Sequence, residues 1–242
     1  MPNVPASPLT AKEYWDELQL ISDEVFEAKW YFHTMEEINE QLLNDKKVYF
    51  AINRTPHFWQ AHRAATQAAL FMTLGRIFDT SPDALSVHRL LRLTLANIHL
   101  FSRQSLEDRR LTPGKDAPQY LIDFIDGAWE PKAANELRYL KQSLAPHAAH
   151  FEDIYRPIRH NVYGHRLMTN AAAGNDLFPQ TSRPQLAEIT DFLHALTNSL
   201  EHLYNNGSKP DLAYDFTIHN EKIRDEAKHV LRILAENEPD DG

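Results

Sequence analysis

The chain has no cysteine among its 242 residues. Disulfide bonds, thiolate zinc sites and cysteine nucleophiles are therefore excluded, and the composition fits a reducing cytoplasm. Glycine is scarce as well, at seven residues, and runs of valine, isoleucine and threonine are nearly missing. Leucine, alanine, glutamate, arginine and histidine dominate instead. The composition therefore predicts an all-helical fold.

Long apolar runs and a basic overall charge are also lacking. No stretch approaches the ~20 apolar residues that a membrane-spanning helix needs, and the N-terminus does not read as a secretory signal. We therefore expect a cytoplasmic protein that does not contact a membrane. The net charge of −9 argues against nonspecific binding along duplex nucleic acid. A local basic cleft stays possible, because 86–115 carries six basic residues against two acidic ones.

The first helix is predicted from its start signal and its apolar spacing. Thr10 and Glu13 form a capping-box pattern, and apolar residues then recur at steps of three and four. The seam continues over about 11–44, and Asn39 is its one polar interruption. One long helix with a buried stripe is the prediction.

Further helices follow from similar signals. Thr55 and Pro56 predict the start of a helix that extends to about Phe78. This helix is apolar on most sides, so a central position is predicted for it. Other helices are predicted at about 87–101, 118–126, 131–144, 183–206 and 219–236. We expect one helical domain over 10–236, between a mobile leader at 1–9 and an acidic tail at 237–242.

The stretch "IYRPIRHNVYGHR" is the strongest chemical signal in the chain. An arginine and a histidine separated by four to six residues form the skeleton of a metal-independent nuclease site. Three such pairs occur, which is about the number that chance predicts, so spacing alone selects none of them. Arg159 and His165 stand out because Pro157 and Gly164 interrupt the helix around them. If the helix ends near Tyr163, His165 can fold back toward Arg159.

The segment "RHNVYGH" resembles the signature of the HEPN superfamily. The segment "FWQAHRAATQAALFMTLGRIFDTSPDALSVHRLL" resembles the AbiU-type abortive-infection branch of that superfamily. The resemblance implies an up-and-down four-helix bundle that dimerises so that two motifs face each other. Many such proteins cleave RNA, and others only bind nucleotides. The branch usually carries a pair such as Asn-Lys after the arginine, whereas this chain has His160-Asn161, which leaves the role of His160 open.

The residue chemistry of the motif fits RNA cleavage by the RNA's own 2′-hydroxyl. Histidine handles protons near neutral pH, and the planar guanidinium of arginine suits phosphate oxygens. We therefore predict His165 as the acid or base and Arg159 as the phosphate-binding residue. A symmetric homodimer would supply the second proton-handling group. The predicted substrate-binding residues are Arg156, His160, Asn161, Tyr163 and Arg166.

Other interpretations compete with the nuclease. His147 and His150 share a helix near two acidic residues, but a di-iron bundle needs Glu-x-x-His on two helices, and only Glu226 with His229 fits. No metal and no cofactor are therefore predicted. Arg76 and Asp79 either contribute polar groups to the predicted nuclease site or form a structural ion pair. The main alternative function is a catalytically silent helical dimer that binds a nucleotide, RNA or a protein partner; an antitoxin protein is a further possible partner.

Overall fold

The structure, a computed structural model, describes residues 9–164, 181–213 and 215–236. Within these residues there is no strand, and the predicted all-α fold is confirmed. The described helices also include none that is long and apolar enough to cross a membrane. The helices are α1 Ala11–Asn44, α2 Lys46–Arg54, α3 Pro56–Ile77, α4 Val87–Ala96, α5 Arg103–Arg110, α6 Gln119–Asp126, α7 Arg138–His150, α8 Arg156–Ile158, α9 Arg183–Asn206 and α10 Thr217–Ala235.

The capping box predicted for α1 is present. The Thr10 N–H donates to Glu13 Oε2 at 2.8 Å, and the Glu13 N–H donates to Thr10 Oγ1 at 3.2 Å. These reciprocal bonds satisfy N–H groups that a helix start leaves open, so the helix begins where the sequence predicts. The apolar seam of α1 is buried at Leu18, Ile21, Val25, Ala28 and Phe32.

Two predictions for neighbouring helices need correction. Helix α2 was not predicted from the sequence; its N-cap Asp45 accepts hydrogen bonds from the Lys47 and Val48 N–H groups. The helix predicted at 87–101 is shorter, because α4 ends at Ala96 and a 3₁₀ turn follows at Ile98–Phe101. At the end of α4, Asn97 Nδ2 donates to the Leu93 carbonyl at 2.9 Å, and such side-chain bonds to the backbone compete with continuation of a helix.

The predicted central position of α3 is wrong for its first half. The helix begins at Pro56 as predicted, but Phe58 is 64% exposed, and Ala61 and Ala65 are exposed as well. Only the second half is buried, with Leu70 and Leu74 fully covered. Alanine favours a helix whether or not it is buried, so an alanine-rich helix need not be central.

The chain divides into two compact units. The first comprises Met1–Glu24, Arg76–Glu152 and Phe192–Tyr214, and the second comprises Val25–Gly75, Asp153–Asp191 and Asp215–Gly242. Helices α1, α3 and α9 contribute residues to both. The single domain over 10–236 stays a prediction.

In the first unit, three arginines of the basic segment 86–115 donate hydrogen bonds to backbone carbonyls. Arg103 Nε donates to the Ala128 carbonyl at 3.0 Å. Arg109 Nη2 and Arg110 Nη2 donate to the Tyr204 and Asn205 carbonyls at 2.7 and 2.6 Å. These two carbonyls belong to the last turn of α9, where intrahelical donors run out and positive charge is favourable. The three arginines therefore stabilise structure.

The second unit contains a group of charged side chains between α1, α9 and α10. Lys29 is fully buried and its Nζ lies 2.8 Å from Asp191 Oδ1, while Arg224 Nε lies 2.8 Å from Glu37 Oε2. These ion pairs compensate charges that burial would otherwise penalise. They tie α10 and α9 to α1 within this unit.

Candidate functional site

The motif segment follows α7 as a helical stretch of changing pitch. Short α8 lies between two π-helical segments, Phe151–Tyr155 and Arg159–Gly164. Pro157 is the second residue of α8, at the point where the hydrogen-bonding pattern changes. π-helical turns are uncommon and occur often at functional sites. The proline therefore changes the helix around the motif without ending it.

Arg159 opens the second π-helical segment and lies against Gly75 of α3. A Cβ atom placed on Gly75 would lie 2.2 Å from Arg159 Cδ and 2.4 Å from Arg159 Nε. The missing side chain of Gly75 therefore makes room for the arginine. In the part of the chain that the structure describes, no hydrogen bond or ion pair engages the Arg159 guanidinium. The described residues therefore leave its N–H donors unused.

Tyr163 is held one turn away on the same face of α3. Its ring stacks on that of Phe71, with the centroids 5.9 Å apart, and Tyr155 packs against the same phenylalanine at 5.7 Å. Burial raises the pKa of Tyr163 to about 12 and that of Tyr155 to about 12. Both phenols therefore stay neutral in the physiological range. Phe71 and Gly75 stand four residues apart, so α3 positions Tyr163 and Arg159 side by side.

The other predicted motif residues have different placements. Arg156 and His160 are exposed, and Asn161 is half-buried. His165 and Arg166 lie outside the described residues. The structure therefore brings Arg159 and Tyr163 together on α3, and the arrangement of His165 stays a prediction.

Arg76 and Asp79 take part in local contacts at the end of α3. Arg76 Nε and Nη2 donate to the Glu24 carboxylate at 2.9 and 2.6 Å. Asp79 Oδ1 accepts a hydrogen bond from the Ser81 N–H at 2.8 Å. The bidentate pair with Glu24 stabilises the helix end. A supporting role for these two residues at a site stays a prediction.

A cleft that the sequence did not predict lies beside the motif. It lies in the second unit between α1, α3 and the start of α9, and its volume is about 490 Å³. Phe71 forms part of its apolar lining together with Phe32 and Leu186. The polar side chains that line it are Glu36, Asn39, Gln60, Arg63, Gln67 and Arg183. The sequence contained one signal for this cleft, the polar Asn39 within the apolar seam of α1.

Glu36 is a largely buried acid in the cleft. Its side chain is 18% exposed, and Arg183 Nε lies 3.3 Å from Oε1. This oxygen is buried and accepts no hydrogen bond among the described residues. Burial raises the pKa of Glu36, and the nearby Arg183 and Arg224 guanidinium groups oppose that shift.

The family comparison agrees with the motif. The chain matches the AbiU2 family of HEPN domains over residues 11–230, which covers both motif segments and nearly the whole chain. No curated protein and no solved structure matches the chain. The matched region includes Gly75, Arg159 and the Glu36 cleft. The chain therefore belongs to the AbiU2-type HEPN domains, a family of abortive-infection defence.

Proposed function

We propose that this protein is a metal-independent endoribonuclease. The observation that carries the proposal is Arg159, whose guanidinium lies over Gly75 with no partner among the described residues. Most other arginines with recorded contacts are engaged by carboxylates or carbonyls, as Arg76 and Arg109 are. An unengaged arginine in a fixed position is suited to bind a phosphate.

The proposed reaction is an internal transesterification of RNA. The 2′-hydroxyl oxygen attacks the adjacent phosphorus and its proton passes to a base. The bond between phosphorus and the 5′-oxygen breaks, and an acid protonates that oxygen. The products are a 2′,3′-cyclic phosphate and a 5′-hydroxyl. Arg159 stabilises the charge that builds up on the phosphate oxygens, and His165 serves as acid or base.

A homodimer would complete the chemistry. The reaction uses two proton-handling groups, whereas each motif contributes His165 and the unassigned His160. Two motifs facing each other across a symmetric interface provide a second histidine. Arg156, Asn161 and Tyr163 would contact neighbouring nucleotides by charge, hydrogen bonding and stacking. Arg166 would add a further positive charge.

The test uses purified protein and bulk transfer RNA in EDTA. We expect the wild type to leave 2′,3′-cyclic phosphate ends, and Arg159→Ala and His165→Ala each to lower the rate by about 100- to 1000-fold. The matched control carries Arg232→Ala and His229→Ala, two exposed residues of α10, and should cleave as the wild type does. Circular dichroism and thermal melting confirm that each variant folds.

Two results would contradict the proposal. Equal cleavage by the wild type and Arg159→Ala would assign the activity to another site or to a contaminant. RNA binding that depends on Arg159 without any cleavage would identify the protein as a silent binder. Light scattering on the same samples measures the mass, and a monomer during active cleavage would rule out the dimeric site.

A further inference from the structure

The Glu36 cleft has the size and lining of a binding site for a small polar ring. Its volume of about 490 Å³ lies within the range of ligand pockets, and its apolar floor is surrounded by a few polar groups. Those polar groups come from α1, α3 and α9. The site is therefore built on helices, which hold side chains in place better than loops do.

Several polar side chains of the cleft lack a hydrogen-bond partner in the part of the chain that the structure describes. The side chains of Asn39, Gln60 and Gln67 make no hydrogen bond among the described residues, and Arg63 has no ion pair there. The buried Glu36 Oε1 also accepts no hydrogen bond in this part of the chain, although Arg183 Nε lies 3.3 Å from it. A buried acceptor without a donor is unfavourable, and a ligand with N–H groups would satisfy it.

The cleft borders the motif through a shared aromatic ring. Phe71 lines the cleft, and its ring also stacks on Tyr163 of the motif. Gly75, on which Arg159 lies, is one turn further along α3. A nucleotide in the cleft would therefore be close to a phosphate held by Arg159.

We infer that the Glu36 cleft binds the base of one RNA nucleotide and prefers guanine. An ionised carboxylate is an acceptor with two oxygens, and the Watson–Crick edge of guanine presents two adjacent N–H donor groups to it. Adenine, cytosine and uracil each place a ring acceptor or a carbonyl beside the donor on that edge, so one carboxylate oxygen would face an acceptor. This inference rests on the proposed RNA cleavage and names the nucleotide that the same site selects.

The remaining cleft residues have roles that fit a nucleotide. The side-chain amides of Asn39 and Gln67 can donate to the guanine carbonyl and accept from its exocyclic amine. The exposed Arg63 and the partly exposed Arg183 place positive charge at the opening. Two arginines against one glutamate give the cleft a net positive charge, which suits the phosphate of a nucleotide.

The first measurement is the binding of nucleoside 5′-monophosphates to the full chain by calorimetry at pH 7 in EDTA. We expect guanosine 5′-monophosphate to bind at least about 10-fold more tightly than the adenosine, cytidine and uridine compounds. Glu36→Gln should remove this preference, because an amide presents a donor where the carboxylate has an acceptor. Glu188→Gln is the matched control, an exposed acid on α9 outside the cleft, and should keep the preference.

A second variant separates a loss of nucleotide binding from a loss of folding. Ala64 is exposed at the wall of the cleft, so Ala64→Phe should fill the cleft and abolish guanosine monophosphate binding with the melting temperature unchanged. Mapping of RNA ends should also show cuts beside guanine in the wild type and a loss of that bias in Glu36→Gln.

The outcomes separate this inference from the proposed function. Selective binding of the guanosine compound that depends on Glu36, without cleavage of any RNA, would support the cleft and reject the nuclease. Cleavage that depends on Arg159 but has no base preference, with all four monophosphates bound equally or not at all up to about 10 mM, would reject the cleft and keep the nuclease.

Discussion

Two arginine-rich segments of this chain look alike in sequence and differ in what their side chains do. In the segment 103–110, Arg103, Arg109 and Arg110 donate to backbone carbonyls within the first unit. In the segment 156–160, Arg159 lies over Gly75 and has no hydrogen bond or ion pair among the described residues. Local positive charge therefore does not identify a binding site. The distinguishing property is whether the guanidinium N–H groups already donate hydrogen bonds to the described residues.

The same contrast separates stability from function. An arginine that satisfies buried carbonyls contributes to folding, and its removal leaves acceptors without donors. An arginine without a partner among the described residues should contribute less to folding and would suit the proposed phosphate contact. Variants in the two segments should therefore have opposite effects on stability and on cleavage.

Gly75→Ala should have the largest effect. The new methyl group would lie 2.2 Å from the present position of Arg159 Cδ, so the arginine must move away from the proposed position of the phosphate. We expect cleavage to fall by about 100-fold, similar to the loss of one transition-state donor. Stability should not fall, because alanine within a helix is favoured over glycine by about 0.5–1 kcal/mol. Cleavage rates and urea unfolding measure the two quantities.

The matched control for this variant is the reverse change on the same helix. Ala65 is exposed on α3 and does not line the cleft, so Ala65→Gly should lower stability by about 1 kcal/mol and leave cleavage unchanged. If Gly75→Ala cleaves as well as the wild type, the position of Arg159 over Gly75 is not required for activity.

Arg109→Ala should have the opposite effect. Arg109 Nη1 donates to the Leu100 carbonyl at 2.9 Å, Nη2 donates to the Tyr204 carbonyl, and the guanidinium lies 4.0 Å from the ring centroid of Tyr204. Losing these contacts should lower the free energy of unfolding by about 2 kcal/mol. Cleavage per folded molecule should not change. Urea unfolding measures the first quantity, and cleavage rates corrected for the folded fraction measure the second.

Arg110 provides the comparison for this variant. It donates to the Asn205 carbonyl and to Asn206 Oδ1 but is exposed to solvent. Water can replace its bonds, so Arg110→Ala should cost only about 0.5 kcal/mol. An equal loss of stability in the two variants would show that burial does not set the contribution of these arginines.

Much of the helical structure could be predicted because its signals are local. The capping box at Thr10 and the apolar spacing of α9 are short-range patterns, and both are present in the structure. Apolar residues of α9 recur at steps of three and four and are buried, namely Leu186, Ile189, Leu193, Leu196, Leu200 and Leu203. The helix ends before Gly207, whose φ of +59° fits a glycine stop. The exposed first half of α3 was not predictable, since the helix period says which residues share a face but not how much of the helix is covered.

The site could be predicted only in part for the same reason. The sequence indicates Arg159 as a candidate, but Gly75 is far from it in sequence and only packing brings them together. Glu36 was missed because a single glutamate on a helix is usually solvated. Its distinguishing properties are burial and the unsatisfied oxygen, and both depend on the neighbouring helices.

His33 is a buried side chain with a nitrogen that is unpaired among the described residues, and it can be compared with the half-buried Arg159. Its expected effect is a pH-dependent change in the free energy of unfolding. The residue is 7% exposed, and its Nε2 has no hydrogen-bond partner among the described residues. Burial, together with the nearby Lys29 and Arg224 charges and His219, lowers the pKa of His33 to about 4, and the Asp191 carboxylate opposes this. The histidine is therefore neutral in the folded protein at neutral pH.

The sign of the pH dependence follows from this lowered pKa. The unfolded chain binds a proton at His33 near pH 6.5, whereas the folded chain does not do so until about pH 4. Stability is therefore complete above the unfolded value and falls as the pH decreases toward 4. Between pH 7 and pH 5.5 we expect a loss of about 1 kcal/mol from this residue, measured by urea unfolding at both values. In His33→Asn, the loss should be smaller by that amount, although His219 and Glu36 still titrate. An unchanged loss of stability in the variant would mean that His33 binds a proton in the folded protein as readily as in the unfolded chain. Burial of His33 would then not explain the pH dependence.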